Sequence, residues 1–509
     1  IIKRKLHLNQ LNAIKFITIK SYIYLCLKAA GAQPANNFQF IVRDMALPPM
    51  ETLQKYLQQN PENEAHPNWM IKPSPVRGRG LFATQTIPQG TLIFVNSPLV
   101  VGPRSDQVNA YCTVCYKTSE NCSSCDKCCL TICSDKCVTS AAHAKECTFI
   151  TENWVPKQKR ERNSKILARV LTQLRFLILT EDEKLLLYNL QGSEKQKTWK
   201  ELDTLCSEFV VPDKQMKFMN EMSSILKINS FRISNESEQK RVPLRGLYPL
   251  SAFINHSCVP NTRYVFKSDY SMAVYATKDI EIGEELLSCY TGLLWCTPTR
   301  RYQLFMTKEF WCKCVRCEDA TEMGTRLSAL KCLNKECIGV LLPVTPLDIR
   351  SEWKCDICEA IEPPTRVSTV QRVLGSLVGS LDLDHQFRLE TSLLERLASF
   401  IPYSSHIFVD IRLRLALRLG FAEGLKLKVR RLTAVDNGRS GEERASPRRD
   451  QVDLPAGAEL KSEIESTIEQ AYFILQGDIS APPDLELRRR YLGPGCDKPQ
   501  EERFFILAS

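Results

Sequence analysis

Residues 246–261 read GLYPLSAFINHSCVPN, and this stretch decides how the rest of the chain is interpreted. An apolar approach ends in the polar pair Asn255-His256, which Cys258 follows closely. Farther along, residues 282–291 read IGEELLSCYT, and Tyr290 stands near the end of this run. Taken singly, the Asn-His pair suits an ordinary hydrogen-bonded loop, and Tyr290 suits a half-buried strand. Their interpretation therefore depends on the motifs around them.

A glycine-rich turn lies far upstream of these motifs. Residues 74–84 read SPVRGRGLFAT, and Gly78 and Gly80 allow a sharp turn or a close approach of the backbone to a ligand. Alternating apolar residues at 81–83 and the run TLIFV at 91–95 predict β-strands, which the Pro-Gln-Gly turn between them joins. This signal is weak when it stands alone.

Most of the 22 cysteines occur in short C-x2-C-type pairs, which suit tetrahedral zinc and are awkward for separate disulfides. The first cluster offers eight ligands: Cys112, Cys115, Cys125, Cys128, Cys133, Cys137, His143 and Cys147. Eight ligands suffice for two zinc sites with no open position, so we expect a structural role. Cys122 and Cys129 offer a rival register, with Cys122 and Cys125 as the second pair.

Two more cysteine groups follow Tyr290. Residues 310–317 read FWCKCVRC, and their three cysteines leave a tetrahedral site one ligand short. The third group comprises Cys332, Cys337, Cys355 and Cys358, with the β-prone GVLLP between its two pairs. This arrangement predicts a small zinc ribbon, and the alternative is four free thiols in a reduced protein.

The net charge of +10 is concentrated in two segments. Residues 1–44 carry seven Lys or Arg against one Asp, and residues 426–449 carry eight against three acids. The remainder is close to neutral. Because both segments are doubtful parts of the fold, the charge does not favour direct nucleic-acid binding, and a DNA-binding zinc protein is the weakest interpretation.

Both basic segments are predicted to lie outside the packed core. We expect residues 1–44 to be a non-native or disordered leader, with a functional segment as the alternative. Lysines interrupt its apolar stretch, which disfavours a membrane span and a signal peptide. Residues 426–458 are rich in Arg, Gly, Ser, Glu and Pro, which is typical of a disordered insert, with a basic recognition loop as the alternative.

Helical periodicity marks two other regions. The spacing of Ile166, Val170, Leu174 and Leu177 predicts a helix over residues 163–190. From about residue 365 apolar stripes recur, and the first consists of Val370, Val373, Leu374, Leu377 and Leu381. Such stripes are more often packing surfaces than recognition surfaces.

The order of the motifs resembles that of the SMYD family, from about residue 69 to residue 317. These motifs are R-G-R-G-L-F-A, the first cysteine cluster, N-H-S-C-x-P-N, G-E-E-L-x-x-x-Y and F-x-C-x-C-x-R-C. The ribbon and the helical C-terminus resemble the longer, arthropod-type members. The resemblance implies an α+β multidomain protein. Its parts would be a β-rich SET fold interrupted by a MYND zinc finger, a post-SET zinc site, a small zinc ribbon and a C-terminal TPR-like α-helical domain.

The resemblance also implies how the zinc ligands combine. One MYND site would use Cys112, Cys115, Cys133 and Cys137, and the other would use Cys125, Cys128, His143 and Cys147. A post-SET site would use Cys258, Cys312, Cys314 and Cys317, and the ribbon would hold a fourth zinc. The gap between Cys137 and His143 is shorter than is usual in the family.

The residues implied for S-adenosylmethionine are Arg77, Gly78, Arg79, Gly80, Asn255, His256, Tyr290 and Phe310. In the family the backbone of the first four and the Asn-His pair hold the amino-acid and adenosine parts, and Phe310 would lie against the adenine. Tyr290 would be the catalytic residue, at the junction of the cofactor pocket and the lysine channel. Arg79 stands where an Asn is also seen in the family.

The resemblance divides the chain into segments. These are a leader (1–44), the N-terminal SET part (69–104), a MYND finger (106–150), a helical insert (151–245), the SET core (246–309), a post-SET segment (310–320), a ribbon (328–360) and a helical C-terminal domain (365–509).

The implied function is S-adenosylmethionine-dependent methylation of a histone or non-histone lysine, with a role in transcriptional regulation. The alternative is a catalytically weak SET-MYND adaptor or corepressor that recruits proline-containing peptides through its MYND finger. We expect a monomer in the cytoplasm and nucleus, without a membrane partner.

Overall fold

The computed structural model describes residues 50–63, 67–75, 78–104, 111–118, 122–157, 160–193, 199–233, 242–379, 397–402 and 404–409. The leader, the basic insert and most of the predicted C-terminal helical domain lie outside these residues. Arg77 also lies outside them. Within the described part of the chain, no helix is long and apolar enough to cross a membrane.

The N-terminal part is built from one helix and four strands: α1 (Met50–Leu57), β1 (Trp69–Pro73), β2 (Arg79–Ala83), β3 (Leu92–Asn96) and β4 (Val100–Pro103). Strands β1 and β2 pair antiparallel, from Trp69 opposite Ala83 to Pro73 opposite Arg79. The strands predicted at 81–83 and 91–95 are both present, as β2 and β3, but they lie in different sheets, because β3 pairs with a strand from the SET core.

The cysteine-rich module contains two very short strands and two helices: β5 (Ser123–Ser124), β6 (Thr131–Ile132), α2 (Asp135–Val138) and α3 (Ala141–Asn153). The Ser140 hydroxyl caps α3 by accepting a hydrogen bond from the backbone N–H of His143. This cap fixes where the imidazole of His143 leaves the first turn of the helix.

The predicted helix over 163–190 is wrong as a single element, because the structure has three helices there. They belong to the insert, whose elements are β7 (Val155–Pro156), α4 (Arg160–Arg169), α5 (Leu171–Leu177), α6 (Glu181–Tyr188), α7 (Lys200–Glu208), β8 (Phe209–Val210), α8 (Asp213–Asn229) and β9 (Phe231–Ile233). Val170 leaves helical geometry with ψ near 8°. Thr180 and Glu183 form a reciprocal capping box that starts α6. The apolar stripe still packs inward, because Ile166, Val170 and Leu174 are buried.

The SET core comprises β10 (Leu244–Leu247), a 3-10 turn (Ser251–Phe253), β11 (Asn255–His256), β12 (Thr262–Phe266), β13 (Met272–Ala276), β14 (Leu287–Ser288), α9 (Thr297–Lys308) and α10 (Val315–Glu318). Two three-stranded sheets have the orders β4-β10-β9 and β12-β13-β3, so both recruit strands from the N-terminal part. The cysteine-rich module and the insert are therefore inserted within one β-rich unit.

The last described part is a four-stranded antiparallel sheet with a following helix: β15 (Leu330–Lys331), β16 (Val340–Pro343), β17 (Trp353–Cys355), β18 (Ile361–Glu362) and α11 (Pro364–Gly379). This sheet, Leu374 of α11 and the short segment at 397–409 share a second apolar core. The larger core joins the N-terminal part, the cysteine-rich module, the insert and the SET strands. In the predicted stripe of α11, Leu374 is buried but Val373 is exposed.

Arg175 of α5 connects the cysteine-rich module to the SET strands. Its guanidinium pairs with Glu146 of α3 at 2.6 Å and donates to the carbonyls of Val101 at 2.5 Å and Thr113 at 2.9 Å. It also contacts the Tyr116 hydroxyl. The Glu146 carboxylate is buried, so it depends on this cation for charge balance.

Replacement of Arg175 by methionine should lower the free energy of unfolding by about 2–3 kcal/mol, because several hydrogen bonds to one charged group are lost together. Urea denaturation monitored by circular dichroism measures the change. Arg169, which is exposed on α4, gives the matched control, and its methionine variant should unfold within about 0.5 kcal/mol of wild type. Equal stability of the two variants would contradict this account of the junction.

Candidate functional site

Two segments of the SET core cross side by side at the centre of the site. Strand β11 pairs in parallel with β14, which places Asn255 opposite Leu287 and His256 opposite Ser288. Asn261 holds the crossing, because its amide oxygen accepts from the N–H of Leu287 at 2.7 Å and its amide nitrogen donates to the carbonyl of Glu285 at 2.8 Å. The two motifs that were far apart in the sequence thus form one local structure.

Asn255 connects this crossing to the glycine-rich turn. Its amide nitrogen donates to the carbonyl of Arg79 at 3.0 Å and to the carboxylate of Glu285 at 2.7 Å. The other carboxylate oxygen of Glu285 accepts from the Ser74 hydroxyl at 3.1 Å. A Cβ at Gly80 would overlap the Glu285 carboxylate, so the absence of a side chain there allows the backbone to approach. Gly80 is buried at this contact.

His256 orients Tyr290. The Nδ1 atom of His256 accepts from the backbone N–H of Tyr290 at 2.9 Å, which makes Nε2 the protonated nitrogen in the neutral ring. The Tyr290 hydroxyl donates to the carbonyl of Ile254. The backbone of Tyr290 is therefore held by His256, and its hydroxyl is held by Ile254, which directly precedes the Asn-His pair.

Aromatic rings line one side of the same region. The ring of His256 lies 5.2 Å from that of Tyr290 and 6.0 Å from that of Phe310, measured between centroids. Glu309 ends α9 in the left-handed conformation, with φ of 61°, and so turns the chain to place Phe310 there. The guanidinium of Arg79 lies 5.1 Å from the ring of Phe253, and burial lowers the pKa of Arg79.

The structure brings together most residues that the sequence singles out for the cofactor. The backbone of Arg79 and Gly80, the Asn255-His256 pair, Tyr290 and Phe310 surround one region, and Gly78 lies at its edge with a positive φ of 71°. A half-buried aromatic ring, an amide, and a glycine that lets the backbone approach closely are chemically suited to a nucleoside bearing an amino-acid chain.

Each of four groups has four ligand atoms within 4.8 Å of one another and can hold a metal ion. The groups are Cys112-Cys115-Cys133-Cys137, Cys125-Cys128-His143-Cys147, Cys258-Cys312-Cys314-Cys317 and Cys332-Cys337-Cys355-Cys358. Thiolate and imidazole sets of this size match structural zinc. Nδ1 of His143 is buried without a hydrogen-bond partner among the described residues, which suits a nitrogen near a metal. Cys122 and Cys129, the rival ligands, belong to none of these groups.

The third metal group adjoins the cofactor region directly. Nε2 of His256 lies 3.3 Å from the Cys258 sulfur. Arg300 of α9 donates to the sulfurs of Cys258 at 3.2 Å and Cys317 at 3.7 Å, and it pairs with Glu322 at 2.9 Å. Burial acts to raise the pKa of Glu322, but the neighbouring arginines outweigh burial, so the pKa is lowered. The ionised pair therefore supports the cysteine cluster through the hydrogen bonds that Arg300 donates to its sulfurs.

Several residues with structural roles in the site were not singled out by the sequence. Asn96 is buried, and its amide oxygen accepts from the N–H groups of Leu250 and Ser251, each at 3.0 Å, just before the Asn-His pair. Glu285 and Arg300 were missed as well. Glu285 stood within a quoted motif, whereas Asn96 and Arg300 contact partners that are distant in sequence and carry no local signal.

The fold and the site define the class of protein to which the chain belongs. The sequence profile of the SET domain matches residues 78–291, which include Gly78 and Gly80 of the glycine-rich turn, both core motifs and the inserted module. The chain is therefore a SET-domain protein with four cysteine-rich groups that can hold zinc.

The family follows from curated relatives. The chain is 32% identical over 373 residues to the SET domain-containing protein SmydA-8, isoform A, of Drosophila melanogaster, which covers 70% of this chain and 79% of that protein. It is 28% identical over 307 residues to the histone-lysine N-methyltransferase SMYD3 of Mus musculus, covering 56% and 70%. The chain belongs to the SMYD family, as an arthropod-type member.

Similarity to solved structures is more remote. The SET domain of LSMT bound to lysine and AdoHcy is 13% identical, with a TM-score of 0.31, covering 73% of this chain and 79% of that chain.

Proposed function

We propose that this chain is an S-adenosylmethionine-dependent protein-lysine N-methyltransferase. One observation carries the proposal: Asn255, His256, Tyr290, Phe310 and the glycine-rich turn converge on one region of the SET fold. Two relatives are themselves named for this activity, the histone-lysine N-methyltransferase SMYD3 and the N-lysine methyltransferase SMYD2-A of Xenopus laevis.

The residues that would hold the cofactor are those of this region. The backbone at Arg79 and Gly80, together with Asn255 and His256, would bind the amino-acid and adenosine parts, and Phe310 would lie against the adenine. When bound, S-adenosylmethionine supplies an electrophilic methyl group on a sulfonium. The Asn255 amide is already fixed by the Arg79 carbonyl and the Glu285 carboxylate, so little ordering is needed on binding.

Tyr290 has a positioning role in this mechanism. Its backbone is held by His256 and its hydroxyl by the carbonyl of Ile254, so the ring forms a fixed wall beside the reacting groups. A substrate amine must be neutral and aligned to react, and burial favours the neutral form of a lysine. Rigid side chains that align the amine with the methyl group contribute a large part of the rate enhancement in such displacement reactions. Tyr290 need not remove a proton for this purpose.

The four cysteine-rich groups would hold zinc as structural ions. Each offers a full set of four ligands, so no open position remains for chemistry. We assign two ions to the MYND finger, one to the post-SET group and one to the ribbon. Their contribution is to fix loops that are too short to form a core of their own.

The substrate class is a protein lysine, in a histone or in a non-histone protein. We place the protein in the nucleus and the cytoplasm, with a role in transcriptional regulation. Either a histone or a non-histone substrate fits this location. The MYND finger would contribute recognition of a proline-containing peptide. We expect the chain to act as a monomer.

Isothermal titration calorimetry of S-adenosylmethionine into zinc-loaded protein tests the proposal. Wild type should bind, the double variant Asn255→Ala/His256→Ala should not, and Tyr290→Phe should bind with near-normal affinity. Turnover on lysine-containing peptides should fall roughly 100-fold in Tyr290→Phe, since small losses of alignment have effects of that size. Failure of folded wild type to bind would exclude the enzyme and favour the SET-MYND adaptor.

A further inference from the structure

Lys308 is a lysine of this chain that points into the neighbourhood of the proposed transfer site. It is the last residue of α9, directly before the turn at Glu309 that places Phe310. Its ammonium nitrogen, Nζ, lies 5.4 Å from the centroid of the Tyr290 ring. Nζ also donates to the carbonyl of Ile228 at 2.6 Å and lies 3.5 Å from the carbonyl of Ser230. The amine is thus held by two carbonyl oxygens and the face of a tyrosine.

The charge of Lys308 is not balanced by a carboxylate among the described residues. The adjacent carboxylate, Glu309, pairs with Lys227 at 2.8 Å and accepts from Ser193 at 2.7 Å. Lys308 forms no ion pair in the described part of the chain, where its recorded partners are neutral dipoles and a ring. Burial lowers the pKa of Lys308 to about 8. The amine therefore carries a positive charge at neutral pH and loses it within an accessible range.

A purely structural role explains only part of this geometry. Ile228 and Ser230 lie at the end of α8, so Lys308 caps that helix, and a cation is favourable there. A cap could equally be made from the solvent side. Here the same amine lies over Tyr290, whose backbone and hydroxyl are both fixed by the Asn-His segment.

We infer that Lys308 is a specificity-determining residue of the transfer site, whose positive charge disfavours the cationic sulfonium cofactor relative to the neutral thioether product, S-adenosylhomocysteine. This inference rests on the proposed function, since it concerns the same site. A fixed cation repels the sulfonium, and it also opposes entry of a protonated substrate lysine. Loss of that charge at higher pH relieves both effects.

Other charged and titratable groups on the neighbouring elements do not replace this effect. They are Lys227 on α8, Arg232 on β9, His256 on β11, Tyr290 after β14 and Glu309 after α9. Lys227 and Glu309 neutralise each other as a pair. Lys217, which is exposed on α8, is a suitable control, because its loss removes one positive charge from this helix and leaves the pair of Lys227 and Glu309 intact.

The test measures the dissociation constants of S-adenosylmethionine and S-adenosylhomocysteine by calorimetry at pH 7 and pH 9. The readout is the dissociation constant of S-adenosylmethionine divided by that of S-adenosylhomocysteine. The two ligands differ only in the methyl group that makes the sulfur a cation. In wild type we expect the ratio to fall roughly three- to tenfold between these pH values, because the neutral fraction of a lysine with a pKa of about 8 rises about tenfold over this range. Lys217→Met should keep the wild-type pH dependence, because it leaves the groups around Lys308 unchanged.

Two variants of Lys308 test the role of its charge: methionine removes the charge, and arginine keeps it at both pH values. In Lys308→Met the ratio should be low and independent of pH, because no charge remains. In Lys308→Arg it should stay at the wild-type pH 7 value even at pH 9, because a guanidinium remains charged and can still cap α8. Should Lys308→Met fold poorly, the arginine variant alone decides. Equal pH dependence in wild type and Lys308→Arg would overturn the inference while leaving the proposed function intact, whereas no binding of either ligand to folded wild type would overturn both.

Discussion

Replacement of Cys258 by serine should remove one zinc ion per chain and weaken S-adenosylmethionine binding by about 100-fold or more. Cys258 belongs to the group with Cys312, Cys314 and Cys317, and a hydroxyl is a poor substitute for a thiolate in such a site. Outer-sphere changes alone typically cost 10- to 100-fold in metal affinity, and loss of a ligand is more severe. Zinc content by elemental analysis and cofactor affinity by calorimetry are the two measurements.

The expected coupling between zinc and cofactor has a structural basis. Cys258 stands two residues after His256, and its sulfur lies 3.3 Å from the imidazole. The other three ligands directly follow Phe310, which packs near the same imidazole. Release of the metal therefore frees both the post-SET segment and the end of β11, so that two walls of the cofactor region lose their support together.

Cys289 provides the matched control for Cys258. It is one residue before Tyr290, it contacts the carbonyl of Thr291, and it belongs to none of the four ligand groups. Cys289→Ser should keep the full zinc content and bind the cofactor within a few-fold of wild type. If Cys258→Ser also kept its zinc and its affinity, the cluster could not be the support that we describe.

The zinc ligand groups show what a sequence can specify. Spacing such as that of Cys125 and Cys128 places two sulfurs on one short turn, so each pair is visible locally. Which pairs combine is a tertiary property, and the spacing left Cys122 as an alternative partner. The family resemblance, rather than the spacing, indicated the combinations that the structure brings within reach of one ion.

The SET core shows the same division between local and distant information. The Asn255-His256 pair and Tyr290 could be singled out because their motifs occur in a recognisable order. Asn96 could not, since its role is to accept hydrogen bonds from Leu250 and Ser251, more than 150 residues away. Nothing near Asn96 in the sequence signals those partners.

The insert shows where periodicity misleads. The apolar spacing through Ile166, Val170 and Leu174 is that of one continuous face, and all three side chains are buried as expected. The helix nevertheless breaks at Val170 and resumes at once as α5 (Leu171–Leu177), and a third helix begins after Thr180, where the capping box fixes its start. Burial followed the pattern, whereas helix boundaries followed local capping.

Replacement of Arg300 by methionine should lower the free energy of unfolding by about 3–5 kcal/mol, which is the usual cost of leaving one partner of a buried ion pair without the other. Arg300 and Glu322 are both almost completely inaccessible, and their charged atoms lie 2.9 Å apart. Methionine keeps the apolar stem but leaves the buried Glu322 carboxylate without its ion-pair partner. Denaturant unfolding of the zinc-loaded protein measures the loss, and Arg326→Met, which breaks the exposed pair with Asp356, should cost no more than about 1 kcal/mol.

A double variant separates the two roles of Arg300. Its guanidinium compensates Glu322, and it also donates to the sulfurs of Cys258 and Cys317. In Arg300→Met/Glu322→Gln the buried carboxylate that lost its ion-pair partner is replaced by a neutral amide, so a large part of the lost stability should return. Zinc affinity should remain weakened, because the thiolates still lack their donor. Full recovery of both properties would show that Arg300 serves only its carboxylate, and no recovery of either would show that the pair is not the source of the stability.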